Sequence, residues 1–201
     1  MRGIYQNFNA LKQSEHLDRD YRIKFRHGDS GFAVIAPHGG RIEHGTSQIA
    51  DAIAGNEHSF YAFEGLKDLS HDLHISSNRF DEPTALSIAR RANIVITIHG
   101  CLGHEPYIYL GGCHNELKES LRDRLSNEGF PAVFDPHPKR QGTRKSNICN
   151  HGKVGMGIQV EMTQAFRRDL FISPSYSETF WEANDQFYKF SELVRTIIND
   201  T

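Results

Sequence analysis

The sequence predicts an α/β fold, a single domain built on one open, mixed and mainly parallel β-sheet with helices on both faces. Three observations predict it. Short apolar, β-branched runs alternate along the chain with amphipathic helical segments. One of the runs, Asn93-Ile-Val-Ile-Thr-Ile98, is nearly unbroken, as suits a strand covered on both faces. His-Gly pairs close two of the runs, where an α/β chain turns from strand into loop. The length of 201 residues fits one domain, 1–201, since chains usually divide only beyond about 250 residues.

The first 20 residues are polar and read as an irregular N-terminal arm. Gly31–Pro37 then has the length and content of a buried strand and ends at His38-Gly-Gly. Thr46 or Ser47 can cap a helix carrying Ile49, Ala50 and Ile53, with Gly55 as its stop. Ser59–Phe63 reads as a second strand and Leu73–Ile75 as a short third. Asp81-Glu-Pro83 starts a helix to Ala92, with Ala85, Ile88 and Ala89 on one face. Asn93–Ile98 follows as a strand ending in His99-Gly, and Tyr107–Leu110 as another, closed by Gly111-Gly112. Leu117, Leu121 and Leu125 define an amphipathic helix ended by Gly129. Phe130–Phe134 is a strand, His137–Lys153 a loop with five Lys/Arg and no acidic residue, and Gly157–Val160 a strand ending at Glu161. Phe180–Ile198, with an apolar stripe from Trp181 to Ile197, is a long C-terminal helix.

Composition excludes several classes of function. No apolar run approaches the roughly 20 residues that a bilayer span needs, and the N-terminus lacks the apolar stretch of a signal peptide. A net charge of −2 gives no general attraction to nucleic acid or acidic membranes. Cys101, Cys113 and Cys149 share no CxxC spacing, so neither a disulfide framework nor a four-cysteine metal site is indicated. The 12 histidines are the unusual feature, and their placement is the clue.

In open α/β sheets ligands bind beyond the carboxyl ends of the strands, and three strands here terminate in His38, His99 and Glu161. The neighbouring Gly39, Gly40 and Gly100 leave room for a ligand. Catalytic zinc commonly takes three protein ligands from His and carboxylate and keeps a fourth position for water. His38, Glu43 and His99 supply that set, with His44 competing for the place of Glu43. Glu161 reads either as a general base beside the metal or as a strand-end carboxylate paired to Arg167 or Arg168.

Five motifs occur in order: Pro37-His-Gly-Gly-Arg-Ile-Glu43, Ile98-His-Gly-Cys101, Tyr109-Leu-Gly-Gly112, Asn147-Ile-Cys-Asn150, and Gly157-Ile-Gln-Val-Glu161 with Arg167. Together they resemble the phage and Bacillus poly-γ-glutamate hydrolase family, from about Ser14 to the last helix. The resemblance implies a zinc carboxypeptidase-like fold, one Zn2+ per chain on His38, Glu43 and His99, and hydrolysis of the γ-linked amide polymer that bacilli secrete as a capsule. Carboxypeptidases space their first ligands as HxxE, whereas His38 and Glu43 are HxxxxE, so Glu43 rests on the nearer family. The resemblance also implies catalytic roles for Glu161, as the base, and for Arg167, toward an oxyanion or a substrate carboxylate.

A polyglutamate substrate carries a free carboxylate on every unit, and Lys139, Arg140, Arg144, Lys145 and Lys153 offer cations for them. Substrate binding is assigned to Arg41, Arg79, Arg144, Lys145 and Asn147. Arg79 follows Asn78, as in the Asn-Arg pair with which zinc carboxypeptidases hold a carboxylate. An internally cutting, monomeric enzyme is expected, made in a host cytoplasm and released at lysis to act outside, with the polymer as partner and neither nucleic acid nor membrane. The competing readings are a hydrolase using Cys101 or Cys113, a nucleic-acid-binding, replication-associated protein using the basic loop, and a metal-storage or structural role.

Overall fold

The computed structural model describes residues 3–175 and 180–201. Their elements run α1 (Phe8–Leu11), β1 (Tyr21–Arg26), β2 (Phe32–Gly40), α2 (Thr46–Ala54), β3 (Ser59–Gly65), α3 (Pro83–Arg91), β4 (Ile94–Cys101), β5 (Ile108–Gly112), α4 (Asn115–Asn127), β6 (Ala132–Phe134), β7 (Ile158–Thr163), α5 (Gln164–Asp169), β8 (Phe171–Ile172), β9 (Glu182–Ala183) and α6 (Asp185–Asn199). Single 3-10 turns occupy Ser70–Leu73 and Ile148–His151.

Among the described residues, seven strands form one sheet in the order β1-β3-β2-β4-β7-β5-β6. The pairs β2–β3, β2–β4, β4–β7 and β5–β6 are parallel, while β1 and β5 run antiparallel to β3 and β7. Side chains alternate between two cores, as the two-residue period of a strand requires. Val34, Ala36, Phe60, Ala62 and Ile96 pack against α2, α4 and α6 on one face. Ala33, Ile35, Tyr61, Phe63 and Val95 pack against α1 and α3 on the other. From β2 the chain moves outward to β3 and then crosses back to β4, so the direction of winding reverses between β2 and β4. That reversal opens a crevice at their carboxyl ends.

The fold class is as expected; four local expectations are corrected. Leu73–Ile75 is not a strand: it leaves the Ser70–Leu73 turn with His74 N–H bonded to His71 O at 3.2 Å. The edge of β3 that a further strand would need is already taken by β1, whose alternation of Tyr21, Ile23 and Phe25 with Arg22, Lys24 and Arg26 is a strand signal that the sequence reading passed over. The last helix begins at Asp185 rather than Phe180, because Glu182 and Ala183 pair with β8 and the Asn184 side chain caps Phe187 N–H at 3.2 Å. Neither Thr46 nor Ser47 caps α2; Gly45 occupies that position, and Ser47 Oγ instead accepts Gly40 N–H at 3.1 Å. The strands carrying His38, His99 and Glu161 each run two residues past them, so these side chains lie in the last rows of the sheet.

Candidate metal and hydrolytic site

Pro37 lacks the N–H that a central strand uses, and the β2–β3 register shifts between Ala36 and Gly39, where His38 stands. Gly40 then turns the chain at φ +62°, and a Cβ there would lie 2.4 Å from Gly65 O. The turn closes when Glu43 N–H reaches His38 O at 2.9 Å. Thr46 fastens it from the far side, its N–H and Oγ1 meeting Glu43 O at 3.2 and 2.7 Å. The five-residue spacing thereby returns the Glu43 carboxylate to the His38 ring. One strand over, His99 on β4 pairs in register with Glu161 on β7, and Glu161 with Tyr109 on β5.

His38, Glu43 and His99 converge. His38 Nδ1 is 3.2 Å from Glu43 Oε1 and 3.2 Å from His99 Nδ1, and His99 Nδ1 is 3.7 Å from Glu43 Oε2. His38 Nε2 donates to Ile75 O at 2.7 Å, so in the neutral ring Nδ1 carries a lone pair rather than a proton. A lone pair, a second imidazole nitrogen and a carboxylate thus face one another in a buried space, an arrangement that asks for a cation at its centre. A tetrahedral zinc with ligands about 2.0–2.1 Å away sets them roughly 3.3 Å apart, close to the spacing found. The outer contacts are of the kind that orient metal-binding rings: Ile75 O on His38, Ser77 Oγ 3.3 Å from His99 Nε2, and Gly100 N–H on Glu43 Oε2 at 2.8 Å.

His74 stands beside this set. Its ring stacks on His38 with centroids 3.9 Å apart, and its Nε2 is 3.8 Å from Glu43 Oε1, so His38, Glu43 and His74 also form a possible ligand group. In the His99 set two of the contacts are at 3.2 Å, and both histidines have their second nitrogen engaged. Burial pushes the His74 imidazole down to about 3, which keeps it neutral. Burial pushes Glu43 up, but the adjoining His38 and His99 prevail and hold it well below the usual carboxylate range.

These groups line a cleft of about 460 Å³ together with Ser76, Asn78, Cys101, Arg140 and Glu161. Glu161 is pushed up to about 7, chiefly by burial, with His99 opposing. Gln159 Nε2 donates to Glu161 Oε1 at 3.0 Å and to Arg140 O at 2.7 Å, while Gln159 Oε1 accepts from Asn147 Nδ2 at 2.8 Å. Arg140 is gripped by Asp135, a side chain fully withdrawn from solvent, through Nε–Oδ2 and Nη2–Oδ1 contacts of 3.1 Å each. Its guanidinium also lies 4.8 Å over the Tyr109 ring.

The other residues singled out in the sequence are scattered. Arg167 is buried behind the cleft, donating to Met162 O at 3.3 Å, Cys101 O at 3.4 Å and His44 O, with its guanidinium against Gly100. Arg41 pairs with Asp68, and neither it nor the exposed Arg79 lines the cleft. Arg144 lines an adjoining cavity, Asn147 lines both, and Lys145 lines neither. Lys153 sits at the other end of the sheet, beside Gly28 and Asn93. His44 stacks on Trp181 at 5.3 Å rather than joining His38. The sequence reading missed His74, Ser77 and Gln159 and lost Arg140 in a run of cations. The spacing of Asp135 and Arg140 was the available sign for the last of these.

A family model described as poly-gamma-glutamate hydrolase matches residues 5–193. The UPF0714 protein YndL of Bacillus subtilis (strain 168) is 39% identical over 194 residues, 95% of this chain and 76% of that protein. The SPbeta prophage-derived UPF0714 protein YoqZ of the same strain is 33% identical over 198 residues, 98% of this chain and 72% of that protein. Two solved structures superpose with a TM-score of 0.92 each, covering 99% of this chain and 98% of theirs. One is zinc-free apo YndL, 37% identical, and the other a bacteriophage poly-gamma-glutamate hydrolase, 25% identical.

Proposed function

The chain belongs to the poly-gamma-glutamate hydrolase family, and on that premise we propose that it is a zinc-dependent enzyme cutting γ-glutamyl amide bonds inside poly-γ-glutamate. One zinc per chain would be held by His38, Glu43 and His99. The observation that carries this reading is the meeting of two imidazole nitrogens and a carboxylate at 3.2–3.7 Å with the His38 proton committed to Ile75 O. Zinc, when bound there, would lower the pKa of a water at its open position toward about 7 and polarise the substrate carbonyl.

Glu161 then serves as the base. It lines the same cleft, one strand from His99, and Gln159 holds one of its oxygens. It takes a proton from the attacking water and returns it to the departing α-amino group, which needs a group that is a competent base and acid near neutrality. Arg167 acts through others: its bonds to His44 O and Cys101 O tie the Glu43 turn to the end of β4. A thiol mechanism has little support, because burial pushes Cys101 up to about 11 and keeps it protonated at neutral pH.

Internal cleavage is supported by the shape of the surface. A cavity of about 480 Å³ adjoins the cleft, sharing Ser76, Asn78, Lys139 and Asn147 with it and adding Arg144. A chain lying through both would extend beyond the centre on the Arg144 side, with Arg144 and Asn147 holding its carboxylates or amides. The role proposed for such an enzyme is that of a phage-type capsule depolymerase acting outside the cell after lysis. Gel filtration of timed digests of poly-γ-glutamate tests the mode of action. A fall in polymer length before free glutamate appears is expected; glutamate released while the polymer stays long would make the enzyme exo-acting.

A further inference from the structure

Among the described residues Arg140 is the one guanidinium lining the cleft, and its setting is built rather than incidental. The buried Asp135 carboxylate engages Nε and Nη2, Tyr109 backs its plane, and Asp135 Oδ1 is itself fixed by His137 N–H at 2.8 Å. Among the described residues Nη1 has no hydrogen-bond partner. A rigid cation with an uncommitted donor edge is therefore presented beside Glu161.

Its position along the sheet has a chemical counterpart. The row runs from His38 on β2 and His99 on β4, to Glu161 on β7, to Tyr109 on β5 with Arg140 upon it. In a γ-linked polymer the scissile bond presents, in the same order, the carbonyl, the amide nitrogen, and the α-carboxylate one carbon beyond that nitrogen. We propose that Arg140 binds the α-carboxylate of the unit on the leaving-amine side of the scissile bond, and thereby selects γ-linked over α-linked polyglutamate. This rests on the substrate proposed above and deepens it. In α-linked polyglutamate the α-carboxyl is consumed in the chain, so at every internal bond the group facing Arg140 is a neutral amide. In the γ-linked polymer every internal bond offers the anion, so one fixed arginine reads each bond alike. A guanidinium held as a planar fork by a second carboxylate suits this task, since little side-chain freedom is lost on binding.

The test crosses enzyme variants with substrates. Wild type and Arg140→Met are assayed on poly-γ-glutamate and on the same polymer with its α-carboxyls converted to amides. Because Arg140→Met strips the partner from a buried carboxylate, the Asp135→Asn/Arg140→Met double variant, which leaves no charge stranded, is assayed beside it. Thermal melting establishes that the variants are folded. On the anionic polymer both variants are expected to lose about 10²-fold in kcat/KM, the scale of one charge-assisted contact. Wild type should lose at least that factor on passing to the amidated polymer, which also lacks the carboxylates assigned to Arg144, and on that polymer wild type and variants should agree within about 3-fold. Equal losses on both polymers, or a variant as active as wild type on the anionic one, would overturn the assignment. A wild type that cuts neither polymer defeats the proposed substrate itself, and this inference with it.

Discussion

Glu161→Gln is expected to bind zinc and polymer as the wild type does while losing roughly 10² to 10⁴ in kcat, the range usual for removing a general acid–base group. The amide keeps the size of the side chain and can still meet Gln159, whose Nε2 is fixed as a donor because its Oε1 accepts from Asn147. What it loses is the ability to carry a proton. The same variant has an opposite effect on stability. Burial raises the Glu161 carboxyl from 4.5 to about 7, so the contribution of the neutral acid to folding is complete below pH 4.5 and is lost as pH climbs through 7. A shift of that size corresponds to about 3 kcal/mol at pH 8 in the metal-free protein. Glutamine is neutral throughout. Metal-free Glu161→Gln should therefore be the more stable protein at pH 8 by up to that amount, with the gap closing near pH 4, as urea unfolding would read. A variant that keeps its full kcat places the base elsewhere, and one that loses its zinc makes Glu161 a ligand.

His99→Ala should fail to retain stoichiometric zinc and should fall to the activity of the metal-free protein. His74→Ala should keep its zinc and lose no more than about 10- to 100-fold, as neighbours of metal ligands do. The contrast follows from geometry: His99 Nδ1 lies 3.2 Å from His38 Nδ1 with its own Nε2 facing Ser77, whereas His74 stacks on His38 and approaches Glu43 only to 3.8 Å. Metal analysis of both purified variants decides between the two ligand groups. Zinc kept by His99→Ala and lost by His74→Ala would assign the centre to His38, Glu43 and His74.

The carboxyl-end rows of the sheet were legible because strand runs and His-Gly turns are written locally. The meeting of His38 with Glu43 was legible only as a spacing. What makes the spacing work is the Glu43 N–H to His38 O closure, which no pattern of residue types encodes, on the left-handed turn at Gly40, which the glycine pair did signal. The orientation of the rings was illegible for a different reason. It depends on Ile75 O and on Ser77, in a segment that the apolar pair Leu73 and Ile75 made look like a strand. Those two residues are buried, but through loop packing beneath α1 and α3. Among the arginines, exposure and pairing decided what composition could not. Arg167 is consumed by backbone carbonyls, Arg41 by Asp68, and among the described arginines Arg140 alone is held at the cleft by a buried aspartate. Trp181 fits the helical stripe in sequence, yet it packs edge-on to Phe171 at 5.3 Å next to the short β8–β9 ribbon, before α6 begins.

The most direct measurement for the whole account is the length distribution of poly-γ-glutamate incubated with protein stripped by a chelator, and with the same protein after one equivalent of zinc per chain is restored. Zinc dependence predicts no shortening by the stripped protein and rapid internal shortening after zinc is returned. Shortening that proceeds at full rate without metal would contradict it.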